Sequence, residues 1–224
     1  MEMHGRRLAP LVSALLLCGM LVTACGGGPK TSAKASESAA AALPKPAGAV
    51  LSGTYTITSS STASYTAHET FLTDNLPNVP VGVTHGVSGT LVLANGLFTP
   101  STVTVNLTGL KTDSSLRDRH VQQTLDTSQY PDATFQVTGE PATAELVRAQ
   151  GVATLDLQGE MTIHGQTHPA VWKLQVGMAG GVLQVRGTTN IEMTAFGVRP
   201  PSIAGFVNVK PAILLSVDLT ASTS

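Results

Sequence analysis

The chain has 224 residues, only 12% of them charged, and a formal net charge of −1. From Ala49 to the C-terminus there are 8 Lys or Arg against 12 Asp or Glu, a net of −4, and no basic cluster. Nucleic acid is therefore excluded as a partner, because phosphate-backbone affinity comes from such clusters. The abundance of Thr, Ser, Gly and Val likewise argues for strands and turns over long charged surface helices.

Residues 1–24 read as an export signal. Arg6 and Arg7 precede an apolar run, Leu8 to Val22, that is too short for a comfortable membrane span. The sequence Leu21-Val22-Thr23-Ala24-Cys25 resembles a bacterial lipobox, in which a lipoprotein-specific peptidase cuts before the cysteine and the thiol carries a diacylglycerol. Cys25 is thus the expected lipid anchor, and two acyl chains at ~0.8 kcal/mol per buried CH₂ hold stably where one is marginal. Cys18 leaves with the leader, so no intramolecular disulfide is possible. The expected location is the outer face of the bacterial cytoplasmic membrane, or the periplasmic face of an outer membrane where one exists. After Cys25, residues up to Gly48 are Gly, Ala, Ser, Pro and Lys with almost no bulky apolar side chain, a flexible tether with a reach of roughly 25–30 Å.

From 49 to 224 the dominant signal is period-two alternation, which marks strands with one buried and one wet face. Short runs open the domain around Thr62–Glu69. Val81, Val83, His85, Val87, Leu91 and Leu93 share one face, as do Val103, Val105 and Leu107. Ser114–Leu125 is the one helical stretch, expected to lie over an end of the fold. Ala133–Thr138 follows, then the long alternation Ala153 to Ile163, then Pro169–Val176 and Val182–Met193. Ile213, Leu215, Val217 and Leu219 close the chain. Turn signals at Asn95-Gly96, His164-Gly165, Gly180-Gly181 and Pro200-Pro201 separate these runs. The fold class is therefore all-β, an eight-stranded antiparallel barrel with one short helix, since closure leaves no exposed edge.

Three segments stand out: Arg117-Asp118-Arg119-His120; Tyr130-Pro131-Asp132-Ala133-Thr134-Phe135; and Met161-Thr162-Ile163-His164-Gly165-Gln166-Thr167. In this order and spacing they resemble the YceI-like family of lipid- and polyisoprenoid-binding proteins, over about Gly53 to Leu219. The resemblance implies a lipocalin-like barrel around an apolar cavity, a polyisoprenoid or quinone-type lipid as ligand, and no enzymatic activity. The chain departs from the family pattern at Ser64-Tyr65-Thr66-Ala67-His68-Glu69 and in the Pro-containing stretch Asn75 to Pro80, so head-group contacts transfer least.

Two readings of Arg117, Asp118 and His120 are open. They hydrogen-bond a lipid head group at a barrel mouth, or Asp118 caps the helix while Arg117 pairs with a carboxylate to pin the connection. His164 and His168 have an H-x₃-H spacing, but Gly165 makes them a hairpin rather than a zinc-ligating helix face, and no metal is expected. Tyr65, Phe71, Phe98, Phe135, Trp172, Phe196 and Phe206 either fill a solid core or, with Met161, Met178 and Met193, line a hollow one. The residues expected at a ligand are Tyr65, His68, Phe71, Arg117, His120, Phe135, Met161, Trp172 and Phe196. There is no G-x-S-x-G, P-loop, G-x-G-x-x-G, H-E-x-x-H or C-x-x-C pattern, so no catalytic residue and no cofactor other than a bound isoprenoid lipid or quinone is expected. The rival to a lipid carrier, reservoir or sensor is a filled-barrel scaffold of the cell envelope, or an accessory factor in quinone handling; the protein partner is left open.

Overall fold

The computed structural model describes residues 43–71, 76–138, 145–203 and 207–224. The leader, Cys25, most of the tether and Phe206 lie outside the described residues. In chain order the strands are β1 (Ala47–Val50), β2 (Gly53–Ile57), β3 (Thr62–Thr66), β4 (Glu69–Phe71), β5 (Leu76–Asn78), β6 (Val81–Thr84), β7 (Val87–Ala94) and β8 (Leu97–Asn106). After helix α1 (Ser115–Thr124) come β9 (Asp132–Val137), β10 (Arg148–Gln150), β11 (Val152–Ile163), β12 (Gln166–Ala179), β13 (Val182–Glu192), β14 (Ser202–Ile203), β15 (Val207–Val209) and β16 (Ala212–Thr223).

Eight of these strands close a barrel in the order β13-β12-β11-β9-β8-β7-β2-β16, with β16 returning to β13. Strand β16 makes the closure possible by its length. One edge pairs with β13 from Ala212 to Ala221. The other is divided between β2, opposite Ala221 to Thr223, and β3, opposite Leu214 to Asp218. Strands β3 and β6 therefore flare from the barrel at one end, and a small sheet ordered β14-β15-β4-β5 follows. Ala47 and Gly48, read from sequence as the end of the tether, lie in β1, which pairs with β10 at Ala47–Gln150 and Val50–Arg148.

The eight-stranded barrel agrees with the sequence expectation, but one of its staves differs. Thr62–Glu69 forms the flared β3 and β4, and the stave in its place is β2, which packs Tyr55 and Ile57 inward. The run from Val81 to Leu93 is also two strands out of phase. Val87, Leu91 and Leu93 are buried as expected, whereas in β6 it is Gly82 and Thr84 that turn inward and Val81 that is exposed. The Thr84 hydroxyl breaks the run: it donates to the Asn106 carbonyl at 3.1 Å and accepts from the Gly86 amide at 3.0 Å, a turn between β6 and β7 that resets the alternation.

Two-residue turns set the hairpin registers. His164 and Gly165 (φ 50° and 72°) join Ile163 to Gln166, and Asn95 and Gly96 (φ 51° and 78°) join Ala94 to Leu97, the left-handed pair that matches strand twist. Pro169 is tolerated inside β12 because that stretch precedes the β13 pairing, which begins at Lys173.

The barrel is solid at one end and open inside at the other. Around the Asn95-Gly96 end, Leu93, Val147, Val176, Leu183 and Ala221 are all at most 2% exposed. Toward α1 the interior is hollow.

Candidate functional site

The cavity measures about 390 Å³, within the usual range of small-molecule sites. Its floor is set by Leu91, Phe98, Val137 and Val185, and its walls by apolar residues from all eight barrel strands but β2, together with β3. Helix α1 covers the mouth. Ser114 caps it, accepting from the Arg117 amide, and Arg117, His120, Val121 and Thr124 face the cavity at i, i+3, i+4 and i+7.

The barrel stays hollow partly because glycine faces its large rings. Gly82 lies opposite Tyr65 in the β3–β6 ladder, and a Cβ there would collide with the phenol ring. Gly159 stands beside Phe135, where a Cβ would strike both the ring and the Gln136 carbonyl. Each ring thus lies flat against backbone instead of reaching across the lumen. Phe135 meets Trp172 edge-on, with ring centroids 6.2 Å apart.

Of the residues expected at a ligand, Tyr65, Phe71, Arg117, His120, Phe135, Met161, Trp172 and Phe196 line the cavity, and so does Met193. His68 does not. It is exposed, beyond buried Ala67, with only its carbonyl engaged by the Lys210 amide. The alternation Ala63, Tyr65, Ala67 already puts His68 on the opposite face. Glu69, Leu116 and Val121 also line the cavity, beyond the residues expected there; for Val121 the signal in the sequence is its place one turn after Arg117.

The Arg117 guanidinium is held by two carboxylates, Glu69 at 3.5 Å and Asp113 one helical turn earlier. Glu69 also accepts from the Asn78 amide at 2.9 Å. This joins α1 to β4, the pinning role among the two open readings, and places the pair at the cavity as well. Asp118 is not the helix cap. Its carboxylate reaches back to accept from the Thr112 hydroxyl at 2.8 Å and amide at 2.7 Å, locking the segment before the helix. The Thr112 hydroxyl first, then its amide, hold the Asp118 carboxyl below the usual carboxylate range.

Two polar atoms in the cavity wall have no partner among the described residues: the Tyr65 hydroxyl and the Trp172 indole nitrogen. Burial pushes the Tyr65 phenol up to about 12, against the opposing influence of Arg117, so it remains protonated.

His164 and His168 do not converge. His164 sits in the turn with its ring 4.7 Å from that of Tyr130, and His168 packs edge-on against Phe196 at 5.1 Å. Among the described residues no group of three His, Cys, Asp or Glu is placed to hold a metal ion.

A closed antiparallel barrel, solid at one end and hollow under a helical lid at the other, defines the lipocalin-like class of small-ligand barrels. Within that class the chain belongs to the YceI-like domain family, which matches residues 55–221. Curated relatives include a UPF0312 protein of Vibrio cholerae, 30% identical over 116 residues (48% of this chain, 58% of the relative). Another, from Pseudomonas syringae, is 29% identical over 107 residues (44% and 52%). The chain thus spans little more than half the length of the curated relatives it matches. Among solved structures, a polyisoprenoid binding domain from Saccharophagus degradans implicated in plant cell wall breakdown superposes with TM-score 0.58 at 12% identity, covering 78% of this chain and all of that one. Burkholderia cenocepacia BcnA gives 0.56 at 17% identity, covering 74% and 99%. At these identities the likeness is one of fold.

Proposed function

We propose that this is an exported, membrane-tethered protein that holds a polyisoprenoid or related amphipathic lipid in its barrel, as carrier, reservoir or sensor. The observation that carries the reading is the cavity of about 390 Å³, walled by apolar side chains and roofed by α1. A filled-barrel scaffold has no use for that space. The similar Saccharophagus domain is described as polyisoprenoid-binding, which supports the same ligand class here. The lipobox-like residues ending at Cys25 support the anchor.

Charge at the mouth narrows the head group. Arg117, which lines the cavity, lies between Glu69 and Asp113. A pyrophosphate brought there would meet the Glu69 carboxylate and a guanidinium already engaged. The arrangement favours an uncharged head, of the prenol or quinone type. Selection cannot rest on hydrophobicity alone, because a lipid leaving a bilayer is already in an apolar medium; tail shape and a few hydrogen bonds must decide.

Mass spectrometry of the full chain, purified under conditions that retain lipid, tests the reading. A stoichiometric neutral isoprenoid or acyl lipid is the expected result. Absence of any lipid, with no saturable uptake on adding one, overturns it.

A further inference from the structure

The two unpartnered donors occupy one level of the wall. Tyr65 pairs with Leu215 of β16, Leu215 pairs with Thr189 of β13, and Trp172 lies one step beyond the Lys173–Thr188 pair, level with Thr189. Tyr65, buried Thr189 and Trp172 thus lie at one level of neighbouring strands, with Tyr65 and Trp172 in a cavity wall that is mostly apolar. An indole N–H can only donate, and buried donors are almost always paired. Trp172 is 7% exposed and lies against Phe135 and Gly187, and its indole nitrogen has no acceptor among the described residues. Phenylalanine at either position would present an apolar face without an orphaned donor.

We propose that the ligand is a neutral lipid carrying acceptor oxygen, as carbonyl, ester or hydroxyl, inside the barrel at this level, accepting from Trp172 Nε1 with Tyr65 Oη as the second donor. The inference rests on the lipid-binding reading above and adds a rule of selection to it. Oxygenated chains are held and plain hydrocarbons of the same length are discriminated against. The protonated state of Tyr65 at neutral pH is consistent with a donating role.

Trp172 is the only tryptophan, so ¹⁵N-labelled, delipidated full chain has a single indole N–H resonance to report on this bond. Farnesylacetone and the C18 triene hydrocarbon in which CH₂ replaces its carbonyl serve as probes. The ketone is expected to bind about five- to tenfold more tightly, the worth of one or two neutral hydrogen bonds, and to move the indole proton downfield; the hydrocarbon binds without that shift. Trp172→Phe should bring the two affinities together. Tyr65→Phe, which keeps the indole probe, should reduce the preference severalfold and leave the ligand-free protein at least as stable as the parent. Equal affinities with an unmoved indole resonance would mean that water alone serves these donors, overturning the inference while leaving lipid binding intact. Failure of both probes and of longer prenyl lipids to bind at all would overturn the lipid-binding reading itself.

Discussion

The Tyr130 ring packs against the His164 imidazole with centroids 4.7 Å apart and planes inclined at 57°. The phenol also covers Gly165, where an added Cβ would meet its ring. Two of the three sequence segments that stand out thus meet in space: the Tyr-Pro entry to β9 is the buttress of the His-Gly turn between β11 and β12. That contact fixes the β11–β12 hairpin beside the cavity mouth. Gly165→Ala combines a left-handed φ with a steric conflict, and is expected to cost about 1–3 kcal/mol in urea unfolding, while Gly180→Ala, with open space around it, loses only the backbone part.

Arg117→Ala is expected to lower stability by about 2 kcal/mol, because it strands Glu69, whose side chain is only 11% exposed. A double-mutant cycle with Glu69→Gln should recover much of that loss as coupling. Additive effects would show that the pair does not join α1 to β4.

Gly159→Ala should destabilise the barrel by about 1–3 kcal/mol, since the Gln136 carbonyl cannot move aside and Phe135 must leave the wall. The displaced ring would enter the lumen, so lipid capacity should fall along with the melting temperature. Unchanged capacity would place Phe135 away from the ligand path.

Acid stability has a local source in Asp118. Its folded-state pKa lies below the ordinary 3.8, so its contribution is fully present above that value and is lost as pH falls through the lower folded value. Asp118→Asn should therefore be less stable than the parent at neutral pH, with the two urea midpoints converging below about pH 3.8. Parallel curves across the acid range would assign the carboxylate no such role.

Much of this architecture was readable where alternation is long. Strand β11 has no break in its pattern, and every second residue from Ala153 to Ile163 is buried. The reading failed where side chains replaced backbone logic or where strands were short. Thr84 resets the phase of β6 through its hydroxyl, which no hydropathy pattern registers. Strand β2 offers only Tyr55 and Ile57 between threonines, too short a run to announce a stave. Whether the rings fill or line the barrel depends on Gly82 and Gly159 facing them across neighbouring strands, a pairing that exists only once the register is set. His68 lies off the cavity because the phase of Ala63, Tyr65 and Ala67 turns it outward.

If Cys25 carries the proposed acyl anchor, Cys25→Ser is expected to move the protein from the membrane fraction to the soluble one. Equal membrane association of the variant would refute the anchor.

Lipid uptake by the hollow half of the barrel is read directly by Trp172 emission, because the indole lines that space. Titrating delipidated protein with a polyprenol should change the emission saturably at one lipid per chain, and a prenylated quinone should quench it. Emission that stays flat across prenols, quinones and acyl lipids would contradict lipid uptake by the barrel.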